Sequence, residues 1–181
     1  MQRVMIIGQP GSGKSTLARK LGALTFLPVI HMDHIHWTSG WVERTTAEKT
    51  RMSLEVIKAA SWIFEGGHSA TYAQRLDRAD TLIWLDMPLG LRVRRVLWRS
   101  LRYFGRTRPD LPEGCPEQLS PEFLAFIWRT RHRARARMRA VFDAAGPDKV
   151  TYHFTAPAQV QTFLADLRDA LAVGNLGIPH R

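Results

Sequence analysis

The chain has 181 residues, 45% hydrophobic and 23% charged. That size and balance suit one domain with a sizeable core, and no apolar run is long enough to span a membrane. Its formal net charge of +10 and pI of about 10.8 favour anionic partners, whether nucleotides, nucleic acid or acidic lipid. The single cysteine, Cys115, excludes an intrachain disulfide framework and fits a reducing, cytoplasmic setting.

Residues 4–7 are an apolar run with β-branched members and read as a buried strand. Gly8-Gln9-Pro10-Gly11-Ser12-Gly13-Lys14-Ser15 follows, with the spacing G-x-x-x-x-G-K-[ST] of a phosphate-binding loop. Thr16 opens a helix that carries Leu17, Leu21 and Leu24 on one face. A strand, a glycine-rich turn and a helix N-terminus together make an anion site, because backbone N–H groups and the helix dipole both favour negative charge there. The candidate nucleotide-binding residues are therefore Gly8, Pro10, Gly11, Ser12, Gly13, Lys14, Ser15 and Thr16. Lys14 is placed to reach the β- and γ-phosphates of ATP, and the Ser15 hydroxyl to bind Mg²⁺.

Residues 28–32 read as a second strand ending at Asp33, followed over 34–45 by a loop rich in His and Trp, including His34, His36, Trp37 and Trp41. Thr45-Thr46-Ala47-Glu48 has capping-box spacing and predicts a helix to about residue 60. Residues 62–64 form a third strand, followed by Glu65-Gly66-Gly67; residues 81–85 form a fourth, ending at Asp86. Asp86 reads as the cap of a helix that starts at Pro88, runs to Phe104 and is closed by Gly105. Residues 105–121 are a Pro/Gly-rich excursion of the length expected for a lid or binding loop. Ser120-Pro121 starts a helix to about Ala145, residues 150–154 form a fifth strand, and a last helix carries Val160, Phe163, Leu164, Leu167 and Leu171. Residues 174–181 form a patternless tail.

Five mostly unalternating apolar strands between helices predict an α/β fold. The expected form is a three-layer P-loop NTPase sandwich, with a five-stranded parallel sheet and helices on both faces. It is read as one domain over residues 1–173, with an acceptor-binding region at 34–60 and an arginine-rich lid at 105–121. Ligands in such sheets bind beyond the carboxyl ends of the strands, which selects the phosphate loop, Asp33, Glu65-Gly66-Gly67, Asp86 and Thr155-Ala156-Pro157. Arg92, Arg95, Arg99, Arg102 and Arg106 recur at helical spacing, with Val93, Leu97, Leu101 and Phe104 expected to bury on the other side. Arg129, Arg133 and Arg137 form a second row, and a polyphosphate between the rows would relieve their mutual repulsion.

These motifs, together with Thr107-Arg108-Pro109-Asp110 and Gly114-Cys115-Pro116-Glu117 in the lid, give the chain a resemblance to a known family. It resembles the adenylate-kinase-related P-loop kinases, and more closely the bacterial DNA topology modulation proteins, from residue 1 to about 171. The resemblance implies that Arg95 and Arg99 contact ATP and that Thr155-Ala156-Pro157 lies where the adenine ring is held. Two features depart from adenylate kinases. His31-Met32-Asp33 replaces a Thr-Gly motif, and Glu65-Gly66-Gly67-His68-Ser69 lacks the arginine that binds an acceptor monophosphate. An aspartate ending the second strand looks more like shikimate or gluconate kinases, where it meets a substrate hydroxyl.

The sequence thus predicts an ATP- and Mg²⁺-using phosphotransferase. Lys14, Asp33, Arg95, Arg99 and Arg108 are its candidate catalytic residues, and Ser15 its metal-binding residue. A small-molecule acceptor is expected at Asp33, Trp37, Trp41, Glu65, Gly66 and Arg133. Nucleotide contacts are assigned to the phosphate loop, Arg95, Arg99 and Ala156. The spacing of His31, His34 and His36 matches no recognised zinc pattern. The alternative reading, resting on the +10 charge and the arginine rows, is a nucleic-acid-associated ATP-binding protein or ATPase acting on DNA topology. Monomer and homodimer both remain open.

Overall fold

The structure, a computed structural model, describes residues 1–118 and 120–174; the expected tail lies outside the described residues from position 175 onward. Strands β1 (Arg3–Gly8), β2 (Val29–His31), β5 (Trp62–Glu65), β6 (Thr81–Leu85) and β7 (Val150–Phe154) form one sheet in the order β2-β5-β1-β6-β7. All its pairings are parallel, with Val4 opposite both Ile63 and Thr81. Strand alternation divides the core in two. Val4 and Ile6 pack with Leu17, Leu21, Phe163 and Leu164 of α1 (Lys14–Thr25) and α7 (Pro157–Ala172). Met5 and Ile7 pack on the opposite face with Trp62, Phe64, Trp84, Tyr72 and Met138. Both faces are covered, so β1, β5 and β6 need apolar side chains at nearly every position. The chain leaves β1 toward β2, then returns past it to β6, which makes the carboxyl end of β1 the switch point where a ligand crevice opens.

The five strands, the three-layer architecture and the main helices agree with the sequence reading; several local features differ. The second strand ends at His31, and Met32 and Asp33 begin a short helix, α2 (Met32–His36). Met32 and Ile35, three residues apart, both bury, which favours a helical turn over an extended exit. The expected loop is instead a small hairpin, β3 (Trp37–Thr38) and β4 (Val42–Glu43). Helix α3 (Thr46–Val56) has the predicted capping box, with Glu48 accepting from the Thr45 backbone N–H at 2.9 Å, but stops short of residue 60. Helix α4 (Tyr72–Arg78) has no sequence signature, because its two buried apolar anchors, Tyr72 and Leu76, are too few to show a period.

Helix α5 (Leu89–Arg102) departs in part from its expected orientation: Val93 and Leu97 are half-buried and Arg102 is exposed, as expected, but other positions reverse. Arg92, Val96 and Ser100 are buried, whereas Leu101 and Phe104 are 66% and 67% exposed. This helix packs against polar backbone. Arg92 donates to the Met87 and Pro10 carbonyls at 3.1 and 3.3 Å, and Arg95 to the Ser12 carbonyl at 2.9 Å. Buried carbonyls require donors, which arginine supplies and leucine does not. Asp86 does not cap α5, whose N-cap is Pro88 with no side-chain bond. It accepts two-pronged bonds from Arg135 of α6 (Pro121–Asp143), at 2.9 and 2.8 Å, and lies 3.3 Å from His153 Nε2. Among the described residues, no helix is long and apolar enough to cross a membrane.

Candidate functional site

A cleft of ≈ 1430 Å³ runs along the carboxyl edge of the sheet, from the phosphate loop to the β3–β4 hairpin. On the donor side the loop after β1 is shaped by backbone. Gly11 has φ +77°, and a Cβ there would lie 2.4 Å from the Arg92 carbonyl oxygen, so α5 can press on the loop only if this residue is glycine. Gly13 precedes α1, whose first-turn N–H groups open toward the cleft. The Ser12 hydroxyl is buried without a partner, an orphan in the cradle that a phosphate oxygen would satisfy. Gly8, Pro10, Gly11, Ser12, Gly13, Lys14, Ser15 and Thr16 all line the cleft, as do Arg95, Arg99 and Arg108. Ala156 does not; the wall on that side is Pro157, Val160, Gln161 and Leu164.

Lys14 Nζ donates to the Gln9 carbonyl at 3.3 Å. Burial lowers its pKa, while Glu65 and Asp33 act in the opposite sense. The two carboxylates are driven apart. Burial works to raise Glu65, but the hydrogen bond from His31 Nδ1 at 2.7 Å, with Lys14 and Ser15, holds it below the usual glutamate value. Asp33 is raised by burial and by Glu65, with Lys14 and Arg108 opposing. The two neighbouring acids are thus pushed in opposite directions, Glu65 down and Asp33 up. The Ser15 hydroxyl with these carboxylates is a hard-oxygen donor set that suits Mg²⁺ carried by phosphates. No cluster of three metal-ligating side chains occurs among the described residues. The three histidines are separately engaged: His31 with Glu65, His34 with the Pro109 carbonyl and His36 with Glu43.

At the hairpin end of the cleft Trp37 and Trp41 meet edge to face at 5.4 Å and line it, with Glu65, Gly66 and Arg133. Arg137, one turn beyond Arg133, also lines it and acts on the buried Tyr72 hydroxyl. The segment around Gly114–Pro116 is docked on the hairpin. Gly40 N–H donates to the Gly114 carbonyl at 2.9 Å, Trp41 Nε1 to the Pro116 carbonyl at 3.1 Å, and Cys115 Sγ to the Thr38 carbonyl at 3.2 Å. A Cβ on Gly114 would stand 2.1 Å from Ser39 Oγ, so this approach also requires glycine. Cys115 is therefore a buried packing residue and not an exposed nucleophile.

Three residues escaped the sequence reading. Arg75 is fully buried, donates to the Phe64 and Gly66 carbonyls at 3.0 and 2.9 Å, and lies 3.9 Å over the Phe64 ring. Burial lowers its pKa to about 10. It fixes the strand end that carries Glu65. Ser100 and Glu117 meet at 2.9 Å beneath the lid. No local signal marks Arg75, since its partners are backbone carbonyls nine and eleven residues away; Glu117 belongs to the Gly-Cys-Pro-Glu motif but carried no role.

No protein-family model matches the chain, and no curated protein matches it. Solved structures do. A shikimate kinase from Bacteroides thetaiotaomicron is 19% identical with TM-score 0.53, over 94% of this chain and 98% of its own. A sugar kinase from Janibacter is 18% identical with TM-score 0.51, over 98% and 95%. A deoxyadenosine kinase from M. mycoides, with bound dATP, is 12% identical with TM-score 0.55, over 95% and 100%. At such identities the likeness concerns the fold: the chain has the three-layer α/β fold of the P-loop kinases.

Proposed function

We propose that the chain is an ATP-dependent phosphotransferase that moves the γ-phosphoryl group of Mg-ATP to a hydroxyl of a small molecule in the cytoplasm. The observation that carries this reading is the phosphate loop and Lys14 facing the split Asp33–Glu65 pair across one cleft. The acceptor oxygen attacks the γ-phosphorus, the bond to the β-phosphate oxygen breaks, and ADP leaves. The hydroxyl proton passes to the Asp33 carboxylate. Lys14, Arg95, Arg99 and Arg108 stabilise the charge that spreads over the phosphoryl oxygens, while Mg²⁺, held through Ser15, would neutralise the phosphates. Asp33 accepts a hydrogen bond from a hydroxyl but repels a phosphate, so the reacting end of the acceptor is an alcohol. Trp37 and Trp41 give that acceptor an apolar wall. Arg133 and Arg137 have no ion-pair partner among the described residues and suit an anionic group at its far end.

Residues 105–121 act as the lid. Hydrogen exchange there is expected to slow when a non-hydrolysable ATP analogue is added, and unchanged exchange would remove the lid role. The reaction itself is tested by screening ATP consumption against small hydroxylated metabolites, nucleosides and nucleotides. Phosphate-ester formation by an alcohol-bearing compound supports the proposal. The resemblance to DNA topology modulation proteins supplies a second reading, an ATPase associated with nucleic acid. Exposed Trp98, Leu101 and Phe104 beside the exposed Arg94 and Arg102 favour it, because stacking surfaces among cations suit single strands. DNA in the same screen separates the two: ATP hydrolysis stimulated by DNA alone favours the second.

A further inference from the structure

The proposed reaction uses two arginines, Arg99 and Arg108, which line the cleft together with the phosphate loop and share one carboxylate. Like charges repel, and each guanidinium is a planar fork that serves phosphate only if its outer N–H groups face inward. Arg99 is indeed held below its ordinary pKa, first by burial and then by Arg108. One carboxylate resolves both problems. Glu117 Oε2 sits 3.4 Å from Arg99 Nε and also contacts Arg108 Nε, in both cases as an ion pair by proximity and not as an aligned hydrogen bond. Its Oε1 accepts from the Ser100 hydroxyl at 2.9 Å, which anchors the carboxylate to α5. Glu117 is only 5% exposed, and its backbone is pinned by Glu117 N–H to the Arg106 carbonyl and Gly105 N–H to its own carbonyl, at 2.9 and 3.0 Å.

Resting on the phosphotransferase reading, we infer that Glu117 is a positioning residue: it engages the inner Nε edge of Arg99 and Arg108 and leaves outer donors of each fork for the ATP phosphates. Arg108 is held a second time, its Nη1 donating to Asp110, so one terminal nitrogen remains. Arg99 keeps both terminal nitrogens, since its ion pair is made through Nε. Two cations and two anions make this buried group neutral before nucleotide arrives. The site therefore gains its net positive charge from Lys14, Arg95 and the loop N–H groups, while Arg99 and Arg108 contribute by orientation.

The test is Glu117→Gln, which keeps the size and an oxygen for Ser100 but removes the charge, with Glu117→Asp as a second variant that keeps the charge and withdraws it by one methylene. Turnover is read as ADP released from Mg-ATP, binding by calorimetry with a non-hydrolysable ATP analogue, and folding by Tm. Both substitutions are expected to lower kcat by about 10²-fold, the scale of a small misplacement of catalytic groups. In an Arg99→Gln/Arg108→Gln background, adding Glu117→Gln is expected to cost less than about twofold, because both residues it positions are gone. An equal cost in both backgrounds, or an unchanged kcat in folded protein, overturns the inference and leaves the phosphotransferase reading standing. Wild-type protein that binds no ATP analogue overturns both.

Discussion

The two sides of the cleft are built by different means. The donor side is one contiguous loop whose shape comes from backbone: Gly11 under the Arg92 carbonyl, Gly13 before α1 and the orphan Ser12 hydroxyl lie within three residues. The acceptor side is assembled from side chains of α2, the β3–β4 hairpin, β5 and α6, with Asp33 and Arg137 more than a hundred positions apart. A backbone cradle fits any polyphosphate and says little about its partner in the reaction. A side-chain pocket carries the selectivity, and is correspondingly sensitive to each substitution. The lid joins the two, since it shares Glu117 with α5 and docks on the hairpin through Gly114, Cys115 and Pro116.

The contrast breaks most sharply at Lys14, the charged side chain that the loop itself carries. Lys14→Ala is expected to lower ATP turnover by at least about 10³-fold, the scale of a lost phosphate-directed charge, measured as ADP release. Asp33→Asn comes next: ATP affinity by calorimetry stays within a few-fold while kcat falls by about 10²–10⁴-fold. In the wild type, kcat/KM is expected to fall on acidification at a pH above the usual aspartate range, because burial and Glu65 raise Asp33. An acid whose folded-state pKa is raised destabilises the fold once ionised, so Asp33→Asn also raises Tm at neutral pH. A site that loses ATP binding in this variant would instead assign Asp33 to the donor side.

Arg75 sharpens the contrast from behind the acceptor side. Arg75→Met leaves the Phe64 and Gly66 carbonyls without a buried donor, and urea unfolding is expected to show a loss of about 1–3 kcal/mol. The smallest effect is expected at Arg135, itself exposed, whose partner Asp86 is buried. Burial works to raise Asp86, but Arg135 and His153 hold it below its usual value. A depressed carboxylate stabilises the fold above its unfolded-state pKa, and that stability is lost as pH falls through the folded-state value. Arg135→Ala removes the larger support, so the acid-unfolding midpoint, followed by circular dichroism, moves to higher pH.

What could be read from the sequence follows the same division. The five strands, the phosphate loop, the Thr45–Glu48 capping box and the Ser120 cap are written in adjacent residues, and their physics is local. The orientation of α5 was partly misread because apolar spacing assumes an apolar neighbour, whereas Arg92 and Arg95 face loop carbonyls. Asp86 was misread as a cap because its partner, Arg135, lies forty-nine residues away. The excursion from residue 105 onward stands out by its prolines and glycines, but its buried Arg108, Asp110 and Glu117 are legible only once the chain has brought them to Arg99 and Ser100.

Phosphoryl transfer to an alcohol is open to direct test by phosphorus NMR. Wild-type protein is incubated with Mg-ATP and pooled hydroxylated metabolites, with Asp33→Asn and Lys14→Ala in parallel. The account predicts a new phosphate-ester resonance appearing in step with ADP, much slower with Asp33→Asn and absent with Lys14→Ala. ADP accompanied only by inorganic phosphate, at the same rate in wild type and Asp33→Asn, would contradict it.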